Sequence, residues 1–297
     1  MMRPIRSFAP LALTLAAACG GCAHTSQTVG AASVAAPSIA SSAVEAQTPS
    51  GPKPRFFSRS GMRLGHPQAA QIVNANGTPR IFHPEMYDAF WRDVARRVQA
   101  WAADSCVGLN PNFVAALLAK ESGFDPNVTS SVPAIGYAQI TETADADMLQ
   151  RVKDVPCMRE AISWPRHPVI HSPRITKARA DSLIAAGTVN ARNEYLLDPV
   201  LATRAGMFEL RLIADIWRHH EEYAPFARRV LNNGRPLTED QVLDLVTVSY
   251  NQGYLYVHQL MERYGADWKQ HLNPESRDYL ERIRAYTTLF QQAPGGR

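Results

Sequence analysis

Residues 121–141 read Glu121-Ser122-Gly123-Phe124-Asp125-Pro126-Asn127-Val128-Thr129-Ser130, then Ser131-Val132-Pro133-Ala134-Ile135-Gly136-Tyr137-Ala138-Gln139-Ile140-Thr141. The helix leading into this stretch starts at Asn110-Pro111 and carries Phe113, Val114, Leu117 and Leu118. Glu121 is the next position on that apolar stripe. A carboxyl that continues a core stripe is partly desolvated, which raises its pKa. A carboxylic acid held protonated near neutral pH can give its proton to a leaving oxygen. The bland reading of Glu121 is a surface glutamate at a fraying helix end beside Lys120. Asp125-Pro126 ends the helix, and the chain must then return so that Gln139 faces the carboxyl. Gly136 supplies a tight backbone position in that return.

Helical spacing dominates on both sides. From Pro84, a favourable first-turn residue, Tyr87, Phe90, Trp91, Val94, Val98 and Trp101 recur at intervals of three and four. Leu201, Ala205, Phe208 and Leu212 mark another helix, widened by Leu210, Ile213 and Trp217. Thr238 and Gln241 form a capping-box pattern ahead of Val242, Leu245, Val246, Ser249 and Tyr250, and Gly253 is a natural stop. The last helix shows Tyr279, Ile283, Tyr286 and Phe290. Alternating strand patterns are scarce. The expected fold is mostly α, one domain over residues 81–292, preceded by an irregular arm at 56–80. A polar, proline-containing insertion covers about 142–197, with a short helix expected near Ala178 to Ala186.

The spacing from Glu121 to Gln139, with Ser130 and Gly136 between, resembles the signature of the soluble lytic transglycosylase family, roughly ES-aromatic-xP, then S, then GAxGLMQ. Ser249-Tyr250-Asn251-Gln252-Gly253 resembles that family's AYNAG motif. Pro274-Glu275-Ser276-Arg277-Asp278-Tyr279 resembles its ETRxYV segment, and Asp198-Pro199 fits a recurring helix start. The resemblance spans about residues 108–290. It implies a lysozyme-like fold with a groove for a sugar chain. Glu121 would be the catalytic acid and then base. Ser130, Gln139, Tyr250, Asn251 and Glu275 would line the groove, with Tyr279 packed near the site. Tyr250 also reads as a core aromatic, Glu275 as a solvated helix-start carboxylate, and Tyr279 as partly structural. Pro133-Ala134, Tyr137-Ala138, Thr141 and Glu142 depart from the family pattern. These departures are expected to reshape the groove and its apolar contact to sugar.

The implied substrate is the peptidoglycan glycan strand. Most glycosidases use two carboxylates, whereas the aligned signature supplies one. That suits a lyase that closes a 1,6-anhydro ring on N-acetylmuramic acid and needs no metal or organic cofactor. Two rivals are a lysozyme-type hydrolase, with Glu142, Asp145 or Asp147 positioning water, and an inactive peptidoglycan-binding scaffold.

The N-terminus supplies an address. Arg3 and Arg6 precede the short apolar run Phe8 to Ala18, too short for a spanning helix of roughly 20 residues and fitting a cleavable export signal over residues 1–18. Cys19 after small residues resembles the lipobox of bacterial lipoproteins and is the expected lipidation site. Gly20 after it, by the same resemblance, favours the outer over the inner membrane. Residues 19–55, rich in Ala, Ser, Thr and Pro, read as a flexible tether for a periplasmic, lipid-anchored enzyme. Such an enzyme could work alone or within an envelope secretion or cell-wall machine. Cys106 and Cys157 read either as a disulfide formed in an oxidising compartment or as two unrelated thiols. The formal charge is +4 over 297 residues, and without Arg3 and Arg6 the balance is 29 basic to 27 acidic residues. With no basic stripe interleaved with aromatics, a nucleic-acid partner is not expected.

Overall fold

The computed structural model describes residues 55–59, 61–72, 83–104, 106–128, 134–152, 181–182, 184–187, 189 and 193–295. The described residues are mostly helical: α1 (Pro84–Asp93), α2 (Ala95–Ala103), α3 (Pro111–Glu121), α4 (Glu142–Val152), α5 (Pro199–His219), α6 (Tyr223–Asn232), α7 (Glu239–Gln252), α8 (Tyr254–Tyr264) and α9 (Pro274–Gln292). One small antiparallel hairpin, β1 (Ala134–Ile135) with β2 (Ile140–Thr141), pairs Ala134 with Thr141 and Ile135 with Ile140. This is the mostly α fold that the periodicity implies.

Helix α3 is the axis of the core. Every residue from Pro111 to Ala119 is buried, and its most extensive packing is against α9, with α2 on another side. Its start is well determined. The Asn110 side chain accepts from Asn112 N at 2.9 Å, and Pro111 occupies the first turn. Such a cap contributes about 1 kcal/mol. Asn110 and Asn112 also hold the N-terminal arm. Asn110 Nδ2 donates to Arg55 O at 2.7 Å, Asn112 Nδ2 to Arg63 O at 3.0 Å, and Gly65 N donates to Asn112 Oδ1 at 2.9 Å. Phe56 lies edge-on to Phe113 with ring centroids 5.1 Å apart.

The C-terminal half wraps this axis. The Asp198 carboxylate caps α5, accepting from Val200 N at 2.8 Å and Leu201 N at 3.0 Å. Buried Trp217 on α5 donates from Nε1 to Ser249 Oγ on α7 at 3.0 Å. The capping box of α7 forms as its sequence requires, with Thr238 N to Gln241 Oε1 at 2.9 Å and Gln241 N to Thr238 Oγ1 at 3.2 Å. Gly253, at φ +83, separates α7 from α8. The buried Asp244 carboxylate ties α7 to α9 by accepting from Arg284 Nε at 2.7 Å, and it also accepts from Lys269 Nζ at 2.7 Å.

Two features differ from the periodicity. The run from Pro84 to Trp101 is two helices, because Val94 opens to φ −115 while its side chain stays fully buried. The start of the polar insertion is an eleven-residue helix, α4. Thr141 Oγ1 accepts from Ala144 N at 3.2 Å, and Glu142 and Asp145 stand in the first turn, where carboxylates complement the helix dipole. Of the expected helix near Ala178–Ala186, residues 181–182 and 184–186 are described; 181–182 and 184–185 are helical and 186 is in a turn. The export signal, Cys19 and the tether lie outside the described residues.

The hairpin turn depends on Gly136, which sits at φ +72 where a Cβ would meet Leu196 O at 2.0 Å. Gly136→Ala is therefore expected to destabilise the fold by about 1–3 kcal/mol through backbone strain alone. A lower denaturant midpoint at unchanged m-value would show it.

Candidate active site

Helix α3 ends on Glu121. Ser122 follows as the C-cap, with its hydroxyl donating to Leu118 O at 3.1 Å. Gly123 and Phe124 then turn the chain through left-handed backbone, at φ 61 and φ 63. A phenylalanine in that region is strained, and the strain is offset by burial. The Phe124 ring is fully buried and stacks on Phe90 with centroids 4.4 Å apart. Asp125 closes the turn by accepting from Asn127 N at 2.8 Å. The Glu121 carboxyl is thus anchored between a rigid helix end and a buried aromatic hook.

Three more segments meet it. Tyr279, in the second turn of α9 and buried, donates its hydroxyl to Glu121 Oε1. Lys120 Nζ lies over the Tyr279 ring, 4.9 Å from its centroid. Tyr250, near the end of α7, donates to Ala138 O in the hairpin turn at 2.7 Å. Both tyrosine hydroxyls are held well above their ordinary pKa, first by burial and next by the nearby Glu121 charge. Both therefore stay protonated as hydrogen-bond donors across the physiological range.

Gln139 has left-handed backbone at φ 48, and its amide donates to Val128 O at 2.7 Å and Gly136 O at 2.9 Å. It clasps the loop after α3 to the hairpin, so this amide shapes the return of the chain beside Glu121. Asn251 Oδ1 accepts from Gln252 Nε2 at 2.9 Å and from Ser276 Oγ at 3.3 Å, which joins the end of α7 to the start of α9. Glu275 stands exposed in the first turn of α9. Among the described residues it makes no hydrogen bond or ion pair, the arrangement of a solvated helix-start carboxylate. Ser130 and Cys157 lie outside the described residues, and Cys106 is disulfide-bonded. Tyr137 and Ala138, two departures from the family pattern, are fully buried. Tyr137 packs edge-on towards Phe124 at 6.5 Å, so this pair faces the core and not a sugar.

Residues 100–163 match the family model described as Transglycosylase SLT domain. The match is consistent with the soluble lytic transglycosylase family. An SLT domain implies peptidoglycan as the substrate and transglycosylase as the broad enzyme class. No curated protein matches the chain. The SLT segment contains α3, the hairpin and α4, hence Glu121 and Gln139. Tyr250 and Tyr279 come from helices beyond it.

One acid near the SLT site was not singled out by its sequence. Glu209 interrupts the buried run Gly206-Met207-Phe208-Glu209-Leu210 on α5. Its charge acts on Tyr250 along with that of Glu121. The available signal was a lone acid amid apolar neighbours, masked by the strong stripe around it. Two of the three acids offered for positioning water are otherwise engaged. Asp145 is buried and accepts from the Tyr195 hydroxyl, and Asp147 accepts from Arg151 Nε at 2.8 Å. Glu142 is exposed at the start of α4. Among the described residues, no group of three His, Cys, Asp or Glu side chains could hold a metal ion, and no helix is long and apolar enough to cross a membrane. A separate open cavity of about 880 Å³ lies between the arm and α2, lined by Arg59, Arg63, Trp91 and Arg96 among others, and no residue of the Glu121 cluster lines it.

Removing the Tyr279 hydroxyl takes away a buried donor that orients Glu121. Tyr279→Phe is expected to slow peptidoglycan cleavage by about tenfold or more, the equivalent of one hydrogen bond to a charged group. Rates of muropeptide release, compared at matched circular dichroism, check this.

Proposed function

We propose that this protein is a peptidoglycan lytic transglycosylase that cleaves the β-1,4 bond between N-acetylmuramic acid and N-acetylglucosamine, with Glu121 as acid and then base. The observation that carries the reading is the Glu121 carboxyl at the end of a buried helix, oriented by a buried tyrosine donor within the SLT match.

The chemistry follows from that contact. Tyr279 donates to Oε1, so we assign the acidic proton of neutral Glu121 to Oε2 and that oxygen to the substrate side. Oε2 gives this proton to the glycosidic oxygen as its bond to C1 of the muramoyl ring breaks. Positive charge develops at C1 and the ring oxygen. The Glu121 carboxylate, stabilised by the Tyr279 hydrogen bond, then takes the proton of the muramoyl 6-hydroxyl. The 6-oxygen closes on C1 and forms the 1,6-anhydro ring. Glu121 ends protonated, no water is consumed, and no cofactor enters. Gln139, Asn251 and Tyr250 support the groove wall through backbone and side-chain ties, with Ser130 and Glu275 proposed as further sugar contacts on the resemblance of their motifs.

The N-terminal signal and Cys19 support export and a lipid anchor, with the outer membrane favoured. Residues 19–55 would let the domain reach the wall from that anchor, alone or within an envelope machine. The Cys106 disulfide agrees with an oxidising compartment, and Cys157 is its proposed partner.

Glu121→Gln removes the proton while keeping the shape. Wild-type protein is expected to release 1,6-anhydro-muropeptides from purified sacculi, and the variant to lose at least about a thousandfold in rate. Mass analysis of the products reads both. Reducing ends in place of anhydro ends would move the assignment to a hydrolase. Inert wild-type protein that still binds sacculi would favour a scaffold.

A further inference from the structure

Helix α5 brings a second carboxyl group to the site. Gly206 lies against it: a Cβ there would stand 2.6 Å from Ala138 Cβ and 3.6 Å from the Tyr250 hydroxyl. Glu209 follows three residues later and so lies on the same face, one turn further along. Electrostatics agree with this placement, since the Glu209 charge acts on the hydroxyls of both Tyr250 and Tyr195. The groups that face it are Asp145, Asp147 and Arg151 from α4, Tyr195 from the 3-10 turn Glu194–Leu197, and Tyr250 from α7, with Glu121 beyond Tyr250.

Those neighbours are already paired with one another. Asp145 accepts from Tyr195, Asp147 from Arg151, and the Tyr250 hydroxyl is committed to Ala138 O. Glu209 is half-buried and, among the described residues, makes no hydrogen bond or ion pair. Its carboxyl oxygens are not among the sealed polar atoms that lack a partner, so they reach solvent and are open to a ligand that replaces that water. Every ring of this polymer carries an acetamido carbonyl, its strongest neutral acceptor.

We propose that Glu209 is a substrate-contacting residue, whose carboxyl in its neutral form donates a hydrogen bond to the acetamido carbonyl of a sugar bound beside Glu121. The inference rests on the lytic transglycosylase reading. Burial, and then the Asp147 and Asp145 charges, push the Glu209 pKa up to about 8 against the opposing effect of Arg151. The neutral donor therefore prevails at neutral pH and is lost as pH rises through about 8.

The test uses the full chain and purified sacculi, with initial rates of muropeptide release followed from about pH 5 to about pH 9. Wild-type rate is expected to fall as pH rises through about 8. Glu209→Gln keeps an uncharged donor of the same shape, so it should hold the neutral-pH rate within about twofold and keep only the alkaline descent that Glu121 itself imposes, losing the step at about 8. Glu209→Ala should be slower by about tenfold at neutral pH while unfolding at a similar temperature. A Glu209→Ala profile equal to wild type at every pH would overturn the contact. Loss of activity in Glu209→Gln at neutral pH would overturn the neutral form and make Glu209 a working carboxylate. Activity in Glu121→Gln, run alongside, would instead bring down the transglycosylase reading itself.

Discussion

Helix α3 delivers a carboxyl at its end, and helix α9 delivers the hydroxyl that holds it, from 158 residues away in sequence. The rest of the architecture can be understood as what keeps those two ends in register. The α3–α9 interface is the most extensive helix pairing among the described residues. Asp244 ties α7 to α9 through Arg284, and Ser276 ties the start of α9 to Asn251 at the end of α7. A carboxylic acid catalyst must sit within a few tenths of an ångström of its productive position. A rigid buried helix on each side is a direct way to meet that requirement.

Around this pair the polar groups are arranged by withdrawal from water. Tyr279 and Tyr250 are kept protonated by burial and by carboxylate charge, so they serve as fixed donors and not as acids. Asp145 and Asp147 face the same region but are consumed by Tyr195 and Arg151. What remains near Tyr250 is Glu121, oriented by a donor, and Glu209, which has none among the described residues. The two carboxyls differ in environment more than in chemistry, and environment assigns their roles.

The sequence was most informative where one residue has one physical use. The Asn110-Pro111 start, the Asp198-Pro199 cap, the Thr238–Gln241 box and the Gly253 stop all appear as their chemistry requires. The stripe ending in Glu121 was legible because α3 is buried along its length. Legibility failed where tertiary packing overrode local pattern. The break at Val94 has no breaker residue, and α4 has only Met148 as a large buried apolar side chain among its described ones. The Gln139 amide has a further use that its spacing does not reveal, donating to the Val128 and Gly136 carbonyls. Tyr137, a departure expected to alter the groove, packs in the core against the stacked Phe90 and Phe124 rings. Glu209 was invisible because its significance comes from Gly206, Ala138 and Tyr250, which only the fold brings together.

The central claim is that one carboxyl cleaves the glycosidic bond by an internal hydroxyl and not by water. Digestion of sacculi in oxygen-18 water tests it most directly, because any hydrolytic end must carry solvent oxygen at C1. The account predicts that newly formed muramoyl ends carry no label and have the anhydro mass. Label at those ends would contradict it, and would place an activated water between Glu121 and the sugar.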